Sequence, residues 1–406
     1  MFTLRQFIPG ILTGFAVLAN ASAQGENLPP PLYYATTTGL SGDALRSVLH
    51  DIIDEHKEVK YSWLPFLDLD ESIGNNSHVK LVYSGTTSPK DNNGGSVGNW
   101  NREHLWPRSF GIGHEGPDNA DLFNLRPSDV QVNSERGSLA YDDTDPEKSV
   151  PLQFSAPGCS KDNNSWEPRD EKKGDIARAC FYMATRYDGT EPATSDLRIS
   201  DIPDAASARF GKLLTLIQWH HLDPVDQAER NRNHRIFTHW QENRNPYIDH
   251  PEFVGLIFLA GYPGLDMDGD GIGDRWEYRQ FGNLAMSGQD DPDHDSASNL
   301  LEFAVGSAPD KADQIPEIYF SSEGGSINVS FNWNLAAGDN GITATIQRSI
   351  NLLPGSWGNV QPIKSISIPN GKGSEKVTLT LPSREHPARV FYRLQMIASP
   401  KDGAHP

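Results

Sequence analysis

The sequence predicts an α+β protein in three parts: a mostly helical body with long polar loops, a short acidic module, and a small all-β sandwich. Three observations carry this. Apolar residues recur at helical spacing in several segments before residue 262, a twelve-residue acidic pattern is duplicated between 263 and 313, and beyond about 316 the apolar residues alternate. The expected divisions are 1–23, 24–262, 263–313 and 314–406.

The first stretch, MFTLRQFIPGILTGFAVLANASA, places Arg5 before a short apolar run and ends on Ala-Ser-Ala at Ala23. That is the form of a secretory leader, with cleavage expected near Gln24. Pro9 and Gly14 interrupt the run, and a spanning helix needs about 20 apolar residues, so an anchor is the poorer reading. No later segment is long and apolar enough to span a bilayer. The protein is therefore expected outside the cytoplasm: secreted, periplasmic or on the cell surface. In such an oxidising compartment the two cysteines, Cys159 and Cys180, are expected to form one disulfide, two unpaired thiols being the alternative.

Helices are expected over GDALRSVLHDIIDEH (42–56), GDIARACFYMATRY (174–187) and ARFGKLLTLIQWH (208–220). In the first, Leu45, Val48, Leu49, Ile52 and Ile53 share one face. Segments 84–100 and 141–173 are rich in Gly, Asn, Asp and Pro and read as loops. Within DLFNLRPSDVQVNSERGS (121–138), a helix capped by Ser128 sets Asn133 and Arg136 one turn apart.

The acidic module aligns DMDGDGIGDRWE (266–277) with DPDHDSASNLLE (291–302). Oxygen donors recur at loop positions 1, 3, 5, 9 and 12: Asp266, Asp268, Asp270, Asp274 and Glu277, then Asp291, Asp293, Asp295, Asn299 and Glu302. Calcium takes about 6–8 oxygens, and this spacing supplies them together with a backbone carbonyl at position 7. The loops resemble those of EF-hands, dockerins and thrombospondin type 3 repeats, which implies structural Ca²⁺ rather than an acidic linker. Gly271 fits the tight turn at position 6 of the first loop. Ser296 replaces it in the second, at some cost in a left-handed turn.

Beyond 316, SINVSFNWNL (326–335), TATIQRSI (343–350), KSISIP (364–369), EKVTLTLP (375–382) and ARVFYRLQMI (388–397) read as short strands of a sandwich. The role of this part is open to three readings: carbohydrate binding, contact with an envelope, or a cap on the calcium loops.

The chemistry concentrates in NWNREHLWPRSF (99–110), where Glu103 precedes His104. A neutral imidazole serves as a base near neutral pH. Glu103 with Asn133 offers hard oxygen ligands suited to Mg²⁺, and an arginine can steady a phosphate. Together these are the parts that phosphodiester hydrolysis needs. Adjacent strand residues point to opposite faces, so Glu103 and His104 share a site only if the chain bends, which the strand end before Pro107 permits. The formal net charge of −19 argues against nucleic acid unless positive charge is concentrated locally or a metal ion intervenes.

NREHLWPRSFG, DLFNLRPSDVQVNSERGS, KGDIARACFYMATRY, WHHLDPVDQAERNRN and ENRNPYIDHPEF together resemble the bacterial endonuclease I family, over roughly residues 33–262. The resemblance implies a ββα-metal (His-Me finger) nuclease of low sequence specificity that acts on DNA, with RNA left open, and yields 5′-phosphates. It implies His104 as general base and Glu103 and Asn133 as ligands of one Mg²⁺. Arg136 follows the ligand Asn, with a catalytic phosphate contact or a structural role open to it. Arg108 and Arg126 are phosphate candidates by proximity; Arg232 and Arg244 lie in a later block that the resemblance makes a structural brace, with phosphate contact open to them. The histidines of 227–253 lack zinc spacing. The alternative class is a calcium-stabilised surface-binding or adhesion protein carrying an inactive nuclease-like body.

Overall fold

The computed structural model describes residues 27–262, 264–312, 317–323, 326–371, 373–382 and 390–398, so the leader expected over 1–23 lies outside the described residues. Among the described residues no helix is long and apolar enough to cross a membrane.

The body is organised around one helix, Lys173–Arg186, every residue of which is buried. Its apolar residues are interspersed with the buried Lys173, Asp175, Arg178 and Arg186, so burial on every side demands charged partners. Its two internal arginines are matched: Arg178 pairs with the buried Glu229, and Arg186 Nη1 lies 2.7 Å from Glu191. Helices Gly42–Ile53, Leu213–Leu222 and Pro246–Asp249 pack on it. The first buries Leu45, Leu49 and Ile53, spaced one turn apart, as its apolar periodicity predicts.

Two local expectations are corrected. The helix expected over 208–220 starts later, at Leu213. Gly211 sits at φ +82°, and a Cβ there would meet Leu216 Cδ1 at 2.7 Å, so the chain turns before the helix begins. Residues Arg209–Phe210 instead pair in parallel with Arg198–Ile199. The helix expected to be capped by Ser128 spans Val130–Arg136 and is capped by Asp129, whose carboxylate accepts from Gln131 N and Val132 N at 2.8 and 3.2 Å. Ser128 belongs to the preceding strand, Leu125–Asp129.

Cys159 and Cys180 are both free, which corrects the expected disulfide. Cys180 is committed to the core through the central helix, while Cys159 Sγ donates to Tyr83 O at 3.4 Å. Burial pushes the thiols up, to about 11 and about 12 respectively, so neither is a ready thiolate. Losing a native disulfide costs about 2–5 kcal/mol. Thermal melts with and without reductant are therefore expected to superimpose; a drop of several degrees on reduction would show a bridge.

All five strands expected beyond 316 are present, as Ser326–Asn334, Ile342–Ser349, Lys364–Gly371, Ser374–Leu381 and Phe391–Ala398; residues 388 and 389 of the last expectation lie outside the described residues. Strands Ile318–Glu323 and Gly358–Val360 join them. They form a four-stranded sheet, in the order 318–323, 326–334, 374–381, 364–371, and a three-stranded sheet, in the order 358–360, 342–349, 391–398. Val329, Phe331, Val377, Leu379 and Leu381 from the first meet Ile346, Leu394 and Met396 from the second, so the alternating residues close a sandwich core.

Candidate active site

Strand Trp100–His104 runs antiparallel to Leu125–Asp129, with Glu103 opposite Arg126 and His104 opposite Leu125. The helix Val130–Arg136 follows directly and folds back on both strands. Alternation along the first strand then decides what each residue meets. Asn101 and Glu103 face the helix. Asn133 Nδ2 donates to Asn101 Oδ1 at 2.8 Å, which turns the amide oxygen of Asn133 away from Asn101. Glu103 is 2% exposed; its Oε1 accepts from Tyr83 OH at 2.6 Å and lies 3.3 Å from Arg136 Nη1. Burial raises the Glu103 carboxyl, and the guanidinium and the phenol oppose that.

His104 ends the strand on the opposite face. Its Nε2 lies 3.0 Å from Asn119 O. A carbonyl can only accept, so Nε2 carries the hydrogen and Nδ1 keeps the lone pair. Burial pushes the imidazole down to about 4, leaving it neutral at pH 7. The Tyr61 ring lies 5.6 Å from it, and Arg102 stacks over Tyr61 and Trp63 at 3.6 and 4.0 Å. No hydrogen bond joins the ring to Glu103 or Asn133 among the described residues. The structure thus gathers Glu103, Asn133 and Arg136 on the helix side of the strand end and sets the imidazole on the other.

The arginines sort by burial. Arg136, placed by sequence among the catalytic residues, is 1% exposed; Nη1 donates to His104 O at 3.2 Å and Nη2 to Leu105 O at 2.8 Å. It clamps the helix to the strand end, which is the structural one of the two roles left open for it. Arg126 and Arg232 converge on Asp70, at 3.2 and 3.0 Å. Arg232 also donates to Leu122 O and Leu125 O, and Arg244 is held by Asp249 at 2.7 Å. Arg108 and Arg126 are both half-buried, but Arg126 is tied to Asp70 whereas Arg108 is paired with His114. Sequence reasoning missed Asn119, Tyr83 and Tyr61, which no local pattern marks. Asn101 was within reach, two residues before Glu103 on the same strand face.

The donor set fits a hard divalent cation. Glu103 and Asn133 bring oxygen to one strand–helix junction from adjoining elements, with the carboxylate fixed by Tyr83 and Arg136 and the amide by Asn101.

The two acidic loops share one geometry. Asp274 N bonds Leu265 O at 2.9 Å in the first, and Asn299 N bonds Asp290 O at 2.8 Å in the second. Gly269 and Gly271 have φ of +74° and +95°, matched by His294 and Ser296 at +62° and +75°. Ser296 therefore does occupy the left-handed turn, as its position predicts. Oxygens of Asp266, Asp268 and Asp274, of Asp268, Asp270 and Glu277, and of Asp291, Asp293 and Asp295 converge within 4.8 Å in each group. Burial and mutual repulsion raise Asp268 to about 6, Asp274 and Glu302 to about 7, and Glu277 to about 10.

Comparison with known proteins agrees with the body of the chain. The family described as Endonuclease I matches residues 41–252. The chain is 45% identical over 230 residues to an "Extracellular ribonuclease" of Bacillus amyloliquefaciens, covering 56% of this chain and 78% of that protein. It is 44% identical over 230 residues to an "Extracellular ribonuclease" of Bacillus subtilis (strain 168), with the same coverage. The chain, an enzyme that hydrolyses phosphodiester bonds, belongs to the endonuclease I family.

Proposed function

We propose that this protein is a secreted, Mg²⁺-dependent endonuclease that cleaves both DNA and RNA, with His104 as general base in a ββα-metal finger. The observation that carries the reading is the imidazole itself. It is neutral, its Nε2–H is occupied by Asn119 O, and its Nδ1 lone pair is left for a water. Secretion is supported by the leader-like first residues and by the names of the two relatives.

In this mechanism His104 Nδ1 takes a proton from a water aligned with the scissile phosphate. Glu103 and Asn133 would hold Mg²⁺, which supplies positive charge for the phosphate oxygens and the leaving oxygen. Base and ligands can serve one phosphate only beyond the strand end, which falls at His104 before Pro107. Arg136 holds the two halves together, and Arg108 would meet a flanking phosphate. Because the nucleophile is water, no 2′-hydroxyl is needed, so DNA and RNA are both substrates. Contacts confined to the backbone carry no base information, so sequence preference is weak.

The test is cleavage of single-stranded DNA, duplex DNA and RNA with Mg²⁺ and with EDTA, followed by end-group analysis. The expected result is cutting of DNA and RNA that EDTA abolishes, with 5′-phosphate ends. RNA-only cleavage leaving 2′,3′-cyclic phosphates would overturn the water mechanism.

A further inference from the structure

The acidic loops contain more than clustered charge. Glu277 is fully buried, yet neither of its carboxylate oxygens has a hydrogen-bond partner. Asp270, Asp274, Asp291, Asp293, Asp295 and Glu302 each leave one buried oxygen likewise unmatched. The neutral Asn299 makes the same point without charge. Its Nδ2 donates to Ser287 O at 2.9 Å, which fixes the amide, and its Oδ1 is left buried and unpartnered inside the second loop. No lysine or arginine pairs with any of these side chains among the described residues. Buried oxygens left unmatched cost about 1–3 kcal/mol each, more when charged. The deficit falls at loop positions 5, 9 and 12 in the first loop and at 1, 3, 5, 9 and 12 in the second, which is where ligands of a cation stand. The number of oxygens favours Ca²⁺ over Mg²⁺, which keeps most of its waters.

The position of the loops gives the ions a task. The helix leaving the first loop, Asp274–Phe281, carries Tyr278, whose ring packs into the core of the helical body against Gly255. The helix leaving the second, Asn299–Val305, places Val305 and Leu301 in the sandwich core. Between them Ile272, at position 7 of the first loop, is fully buried with Leu300, Phe303 and Ala304 of the second helix and with Ala337 and Ile342 of the β part. Trp276 and Phe303 meet at 5.5 Å. Each loop thus carries, within three residues of its position-12 glutamate, an anchor into a different part of the protein.

We propose that the two loops bind one Ca²⁺ each and that the ion pair is the clasp joining the helical body to the β-sandwich. Without the ions, the buried acids repel one another, the exit helices part, and Tyr278 and Val305 no longer hold the two cores in register.

Calorimetric titration of the chelator-stripped full chain with CaCl₂ is expected to show two sites. Glu277→Gln and Glu302→Gln should each remove one. Asp268→Asn and Asp293→Asn, at an exposed and a half-buried loop position, keep the side-chain volume and should fold normally, and should weaken the corresponding site at least tenfold. Digestion with a calcium-independent protease such as papain should cut within 264–312 in EGTA and run at least tenfold slower in Ca²⁺. No heat with CaCl₂ at millimolar concentration would overturn the sites. Equal binding of Mg²⁺ would overturn the choice of ion. Two bound ions with an unchanged cleavage rate would overturn the clasp.

Discussion

Replacing His104 with alanine is expected to lower the rate of phosphodiester cleavage by about 10²–10⁴-fold, the contribution of a positioned general base. The fold should survive, because the ring is a terminal strand residue whose one hydrogen bond goes to the Asn119 carbonyl. Circular dichroism and Tm are therefore expected to stay close to those of the wild type. Imidazole added to the His104→Ala enzyme should restore part of the rate, since the lost group is a proton acceptor and not a brace. A mutant that keeps wild-type activity would remove His104 from the mechanism.

Arg136→Met is expected to destabilise the protein by about 3–5 kcal/mol, read from chemical denaturation, because it leaves the Glu103 carboxylate buried without its cation. It also removes the donors to His104 O and Leu105 O that close the strand end. Any fall in activity should track the loss of folded protein and of metal affinity. Arg108→Ala is expected to behave in the opposite way. Stability should hold within about 0.5 kcal/mol, as for other surface changes. Meanwhile kcat/KM should fall and the salt dependence of binding should flatten by about one phosphate contact. If Arg136→Met kept full stability and lost only activity, a direct phosphate contact would be the better account.

These two arginines show what the sequence can carry and what it cannot. The pairing of Glu103 with His104 and the helical offset of Asn133 are local, so alternation and helix periodicity expose them directly. The duplicated loops are local too, down to the left-handed turn that Ser296 adopts at φ +75°. The fate of an arginine is not local. Arg232 is neutralised by Asp70, which is 162 residues away in the chain, and Arg244 by Asp249 inside the same buried block. No composition or spacing announces such pairings. The free cysteines depart from expectation for the same reason: compartment sets whether a bridge is allowed, but only packing sets whether the two sulfurs meet. The late start of the helix at Leu213 turned on one glycine, whose missing side chain gives Leu216 its place.

The Asn119 carbonyl that holds His104 has a consequence for how the enzyme tolerates change. A carboxylate in that place could be protonated, deleted or charge-reversed by a single substitution. A peptide oxygen belongs to the chain itself, so its place is fixed by the path of the backbone and not by the chemistry of one side chain. The tautomer of His104 is thereby written into the path of the Pro117–Ala120 turn. A side-chain replacement at 119 removes the 3.3 Å bond to His114 O but keeps the carbonyl that sets the imidazole, while an insertion or deletion in that turn should unset it.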